Sequence, residues 1–394
     1  MLILKILFWA MLLIVFYTYL GYGILLYIII RLKRLFTGKP RETAMPADEA
    51  LPTMTLMICA YNEEDVVKEK IENTRMHDYP QEKLRIMWVT DGSNDRTNEL
   101  LANYPEVDIV FSPERRGKTA ALKHGLRELK TRYVTFTDAN TMINPTALRE
   151  IARLFMDSTV GCVSGEKRVA AKQEGEIAAE GEGLYWRYES TLKRWDSELY
   201  SAMGAAGELY AIDPTLIKEV PDEALLDDFM MSMNIVDLGK RIAYTPDAYA
   251  KEYGSANIFE ESKRKRRIAA GGLQSIWWLR HMLNPFHQPL ATFQYISHRV
   301  LRWSITPVAM AILLIINIIL TLLRAGICYD ILLTLQILFY IMAAGGWLLN
   351  KYGHKNKLLY TAYYFVFMNI NVFRGMAYLR SHKTSGTWEK ARRS

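Results

Sequence analysis

Two hydrophobic patterns divide the chain. Residues 6–30, 304–323 and 331–350 are uncharged apolar runs. Each approaches or exceeds the roughly 20 residues needed to cross a bilayer core. A weaker run, 358–373, contains Asn369 and Asn371 and is closed by Arg374. Polar groups in lipid are costly and usually face protein or a cavity. Between these ends the apolar stretches shorten to strand length. Residues 54–60, 84–90, 107–111 and 133–137 read as buried strands. Loops and helix starts follow, including Asp65 in a first helical turn and Asp95-Arg96-Thr97. Such alternation indicates an α/β domain with a mainly parallel, doubly wound sheet.

The expected organisation follows from this pattern. A membrane helix covers 1–34 and a connector 35–51. The α/β domain spans 52–255 and interfacial amphipathic helices 256–303. Membrane helices occupy 304–379, and a basic tail runs over 380–394.

Charge adds an orientation. A signal peptide is the competing reading of the first run, but its apolar core would be only about 7–15 residues long, so a retained anchor is expected. Arg31, Lys33 and Arg34 after that run place its end in the cytoplasm by the positive-inside rule. The α/β domain is then cytoplasmic, and the expected location is a cell membrane of the bacterial inner-membrane kind. Lys351, Lys355 and Lys357 agree, as do Lys383, Lys390, Arg392 and Arg393 in the tail. Simple alternation of spans puts the tail outside if 358–373 crosses. A re-entrant or interfacial last segment resolves that conflict. The net charge of +7 is concentrated beside the apolar runs, so it implies contact with membrane lipids and no nucleic-acid partner. Cys59, Cys162 and Cys328 form neither a disulfide framework nor a zinc spacing.

Candidate chemistry gathers at strand ends. The motifs are Tyr61-Asn62-Glu63-Glu64, Asp91-Gly92-Ser93, Gly117-Lys118-Thr119, Asp138-Ala139-Asn140 and Leu226-Asp227-Asp228. A basic run, Lys263 to Arg267, follows. An open α/β sheet builds its ligand crevice at the carboxyl ends of its strands. Carboxylates there suit a metal, a ribose or a proton, and arginines suit phosphate. Gly117-Lys118-Thr119 resembles the end of a P-loop, but Ser112 stands where that pattern needs glycine.

In this order the motifs resemble the membrane-bound family 2 glycosyltransferases, the group of the cellulose, chitin and hyaluronan synthases. Gly204-Ala205-Ala206-Gly207-Glu208-Leu209-Tyr210-Ala211 extends the match, which covers roughly residues 52–300 and the membrane helices after them. The resemblance implies a GT-A-like fold and an inverting, metal-dependent transfer from a nucleotide-diphosphate sugar, with uridine diphosphate favoured. It assigns Asp91, Tyr61, Glu63 and Lys118 to the nucleotide. Asp138 and Asn140 would serve Mg²⁺ or Mn²⁺, with Asn140 where the family has a second aspartate. Asp228 would be the base and Asp227 would organise its loop. Arg267 aligns with the diphosphate-binding arginine. Arg264 replaces a family glutamine, and Ile268 replaces a tryptophan that contacts the acceptor sugar. The tail segment Thr387 to Arg392 is similar to a Trp-and-Arg tail of some polysaccharide synthases.

The chemistry of the residues agrees. Leaving-group charge on a diphosphate calls for a divalent ion and cationic side chains. One carboxylate within reach of the acceptor hydroxyl acts as base. One base without a separate nucleophile gives inversion. Asn140 also reads as a helix cap before Pro145, and Tyr61 as a core aromatic. The leading expectation is extension of a cell-surface polysaccharide. Transfer of one sugar to a lipid-linked acceptor is the alternative, and a non-catalytic nucleotide-sugar-binding membrane scaffold is the third.

Overall fold

The computed structural model describes residues 1–39, 43–170, 177–253, 258–354 and 356–381. The tail with Trp388 and Arg392 lies outside the described residues.

Eight strands form one sheet. They are β1 (Met54–Ala60), β2 (Leu84–Asp91), β3 (Val107–Ser112), β4 (Tyr133–Asp138), β5 (Met142–Ile143), β6 (Val160–Ala170), β7 (Leu209–Ile212) and β8 (Arg241–Tyr253). Their order is β3-β2-β1-β4-β7-β6-β8-β5. β1 pairs in parallel with both β2 and β4, and β2 with β3. β7 runs antiparallel between β4 and β6, and β6 is parallel to β8.

The chain winds outward from β1 through β2 to β3, then crosses to the other side of β1 for β4. The carboxyl ends of β1 and β4 therefore flank a topological switch point, where such sheets bind ligands. Asp91 ends β2 and Asp138 ends β4. Both faces of the sheet are covered. Met54, Leu56 and Ile58 of β1 enter one core cluster, and Met57 enters the other. Burial on two faces explains why β1 is a continuous apolar run.

Local boundaries differ from expectation at a few points. The helix after β1 begins at Val67, so Asp65 lies in the preceding turn rather than the first helical turn. The helix after β5 is Ala147–Leu154, with Thr146 at its N-cap position. Asn140 is therefore no cap.

Three helical stretches, Leu2–Thr37, Pro289–Leu322 and Ile327–Lys351, are long and apolar enough to cross a membrane. The second begins well before the uncharged run at 304. Its early part carries His298, Arg299 and Arg302, which a hydropathy reading excludes from a span. Each is buried in a polar network instead. Glu189, on the helix Ile177–Leu199, accepts hydrogen bonds of 2.7 Å from both Arg299 and Arg302. The expected interfacial segment 256–303 is thus divided. The helix Ile258–Trp278 is separate, and residues 289–303 continue into the second apolar helix.

The last described helix, Lys357–Ser381, is unbroken, so 358–373 forms no re-entrant hairpin. Its asparagines face protein. Tyr19 donates to Asn369 Oδ1 at 2.7 Å, and Ser262 donates to Asn371 Oδ1 at 3.3 Å. Gly375 sits so close to Ile258–Trp278 that an added Cβ would lie 2.9 Å from Ala269 Cβ. This helix closes over the basic helix like a lintel.

Candidate active site

Two strand-end loops are laced together at the mouth of the crevice. Asn62 N–H donates to Ser93 Oγ at 3.1 Å, and Glu63 N–H donates to Thr97 Oγ1 at 2.9 Å. Asn62 and Asn94 exchange a further pair of bonds, at 2.7 and 2.9 Å. Asp91 is buried, and its oxygens accept from Arg116 N–H at 2.9 Å and Gly117 N–H at 2.7 Å. In this structure Asp91 fixes the loop that delivers Lys118. Gly92 makes that loop possible. Its φ is +66°, and an added Cβ would stand 2.5 Å from Arg115 N. Tyr61 is half-buried, with the Arg115 guanidinium 3.9 Å from its ring centroid. It is a stacking surface and not a core aromatic.

Deeper in, Lys118 Nζ donates to Asp138 Oδ1 at 2.7 Å. Burial opposes the charged form of Lys118, but Asp138 and Asp227 outweigh it and hold the ammonium well above its ordinary pKa. Both residues line a cavity of about 230 Å³. Asp227, Asp228, Arg264 and Arg267 line it too. Asn140, Tyr61 and Glu63, in the turns and loops after β4 and β1, do not, nor does Asp91 at the end of β2. The sequence-predicted residues therefore split into an inner group and an outer group.

Asp227 and Asp228 open the helix Asp227–Asp237, where the positive helix end favours carboxylates. Asp228 Oδ1 accepts from Phe229 N–H at 2.8 Å. Its Oδ2 lies 2.8 Å from where a Cβ on Gly207 would be, so the missing side chain at Gly207 gives this oxygen its space. Burial, followed by repulsion from Asp227, pushes the Asp228 carboxyl up to about 7. That value suits a base working near neutrality. Cys59 is no rival nucleophile, since burial pushes its thiol up to about 12.

The basic run divides by helical periodicity. Arg264, Lys265, Arg267 and Ile268 face the cavity. Lys263 pairs with Glu260, and Arg266 lies over the Tyr378 ring. Arg267 Nε is buried without a hydrogen-bond partner among the described residues, which leaves it a donor suited to phosphate.

Several lining residues escaped sequence reasoning. Trp303 and Arg299 come from the helix Pro289–Leu322, and Glu189 and Lys193 from Ile177–Leu199. Trp303 stands near Ile268, where the resembled family has an aromatic residue. Gly272 admits it, for a Cβ there would be 2.6 Å from the indole. The signal was Trp303 itself, just before an apolar run, but nothing local tied it to the distant acidic motifs.

The donor set fits a divalent ion held jointly with phosphate. Asp227 Oδ2 is a buried acceptor without a partner, in the same cavity as Asp138. Mg²⁺ or Mn²⁺ needs only one or two carboxylates when water and phosphate complete its shell. Among the described residues no group of three or more His, Cys, Asp or Glu side chains could hold a metal, so any ion here depends on its ligand's oxygens.

A sheet of this order with an acidic, phosphate-ready cavity at its switch point defines a GT-A class domain. Residues 55–213 match the model of glycosyl transferase family 2. The probable glycosyltransferase YdaM of Bacillus subtilis is 26% identical over 215 residues, 51% of either chain. Poly-beta-1,6-N-acetyl-D-glucosamine synthase of Staphylococcus aureus is 32% identical over 128 residues, 32% of this chain and 31% of the relative. The chain therefore spans about half the length of one relative and under a third of the other. The solved mannosyltransferase PcManGT from Pyrobaculum calidifontis, in complex with GDP-Man and Mn2+, shares the fold at a TM-score of 0.72. The likeness is 22% identical and covers 96% of this chain and 99% of that one.

Proposed function

We propose that this protein is an inverting, metal-dependent glycosyltransferase acting at the cytoplasmic face of a membrane. It moves a sugar from a nucleotide-diphosphate sugar, with a uridine nucleotide favoured, to an acceptor entering from the membrane side. The observation that carries this reading is Asp228, a carboxyl at a helix start in a cavity that also holds Lys118, Asp138 and Arg267.

The nucleoside lies at the outer crevice against Tyr61, with Glu63 toward the ribose. Asp91 acts there through the loop it braces. Lys118, Arg264 and Arg267 hold the diphosphate. Asp138 and Asp227, with Asn140 in the turn two residues after Asp138, would hold Mg²⁺ or Mn²⁺, which would add positive charge beside the leaving diphosphate. Asp228 takes the proton of the acceptor hydroxyl. The hydroxyl oxygen bonds to the anomeric carbon from the face opposite the diphosphate. The carbon–oxygen bond to the diphosphate breaks, and its electron pair leaves with that group. One displacement inverts the centre.

Extension of a cell-surface polysaccharide is supported by the named activity of the Staphylococcus relative. Single transfer to a lipid-linked acceptor is favoured by the cavity wall. Ile268, Trp303 and Met368 give it an apolar patch beside Arg299. Sizing the product made by membrane vesicles separates the two. A ladder supports polymer synthesis, and one added sugar supports the lipid acceptor.

A further inference from the structure

Lys193 is the least explained charge in the cavity. It is buried, with 6% of its surface exposed, and lines the cavity together with Asp228. Its ammonium has no hydrogen bond or ion pair to a described residue, and its nearest aromatic contact is the Tyr244 ring at 6.0 Å. One helical turn earlier, Glu189 is its natural partner by spacing. That carboxylate is already taken, by Arg299 and Arg302 at 2.7 Å and by His298 at 3.2 Å. The residue is buried but its ammonium opens into the cavity, where Glu208 and Asp228 supply charge without a hydrogen bond and a ligand anion would supply the missing acceptor.

The surroundings define what that ligand looks like. Arg299 lines the same cavity from a membrane helix, and Trp303 follows it one turn later. Ile268 and Met368 complete an apolar wall. Phe365, one turn before Met368 on the same helix, lines a second cavity of about 290 Å³. Phe8, Leu313 and Leu335 of the three apolar helices also line that cavity. An anion-seeking group thus adjoins an apolar path into the membrane helices.

We propose that Lys193 and the Trp303 wall form an acceptor subsite for a phosphate-bearing lipid. The phosphate sits at Lys193, the hydrocarbon chain runs past Trp303 and Met368 toward the second cavity, and a hydroxyl on the head group that the phosphate carries faces Asp228. This rests on the transferase reading for the last point only.

Binding tests it directly. The full chain in detergent micelles is titrated with a long-chain isoprenyl monophosphate, the corresponding isoprenol and inorganic phosphate, following tryptophan fluorescence. The unmutated protein should bind the monophosphate at least about tenfold more tightly than the alcohol, the size of one hydrogen bond to a charged group. Lys193→Met should erase that preference and Lys193→Arg should restore it, with donor affinity unchanged in both. Inorganic phosphate should compete only weakly. Equal affinity for the two lipids, a preference that survives Lys193→Met, or equally strong binding of inorganic phosphate overturns the proposal. So does a Lys193→Met effect confined to the pH profile of transfer, which would make Lys193 a countercharge for Asp228. If Lys193→Met does not fold, the lipid comparison on the unmutated protein still decides. Failure of the transferase reading shows separately, as no nucleotide release from any donor.

Discussion

At the scale of single residues, Asp228 is set apart by its neighbours. Burial and Asp227 raise its pKa to about 7, so the base is lost as pH falls through that value. We expect kcat/KM to drop about tenfold per pH unit below an acid limb near 7, read from initial rates across a pH series. Stability carries the opposite sign. A carboxyl with a raised folded pKa contributes stability that is fully present below its unfolded value and lost as pH rises through about 7. Asp228→Asn should therefore melt higher than the unmutated protein above pH 7, with the difference vanishing toward acid. Gly207 belongs to the same account. Gly207→Ala places a methyl 2.8 Å from Asp228 Oδ2, and should lower kcat more than it changes donor KM. The acidic pair itself was legible in the sequence, because acidic residues at a helix start are a local signal. The raised pKa was not, since it needs the fold to bury the pair.

At the scale of elements, the first four strands and the strand-end position of Asp91 and Asp138 were readable from apolar runs ending in acidic turns. What the runs did not reveal was the second half of the sheet. β6, β7 and β8 pair with partners far along the chain, and long-range pairing leaves no local signature. Nor did the runs reveal that Asp91 braces the Arg116-Gly117 loop. Gly92 is the hinge of that arrangement. Gly92→Ala must hold alanine at φ +66° and drive it into Arg115 N. The strain is about 1–3 kcal/mol, which predicts a lower melting temperature and a donor KM raised about tenfold or more.

At the scale of the molecule, the candidate cavity is shared between the sheet and the apolar helices. Glu189 joins them through Arg299 and Arg302. Breaking a buried pair by removing one partner costs about 3–5 kcal/mol, so Glu189→Gln should destabilise the detergent-solubilised chain by that order in denaturant unfolding. Hydropathy missed this join because it treats His298, Arg299 and Arg302 as charges to keep out of a span. Paired and buried, they lie on the helix that continues into the second apolar run. The central claim is that this shared cavity transfers sugar with Asp228 as base. Its most direct measurement supplies labelled nucleotide sugars, with Mg²⁺ or Mn²⁺, to vesicles bearing the unmutated chain or Asp228→Asn, alongside donor-binding calorimetry. The account predicts nucleotide diphosphate release and labelled product from the unmutated chain. It predicts a loss of about 10²–10⁴ in rate for the variant, with donor affinity retained. Full transfer by Asp228→Asn would contradict it.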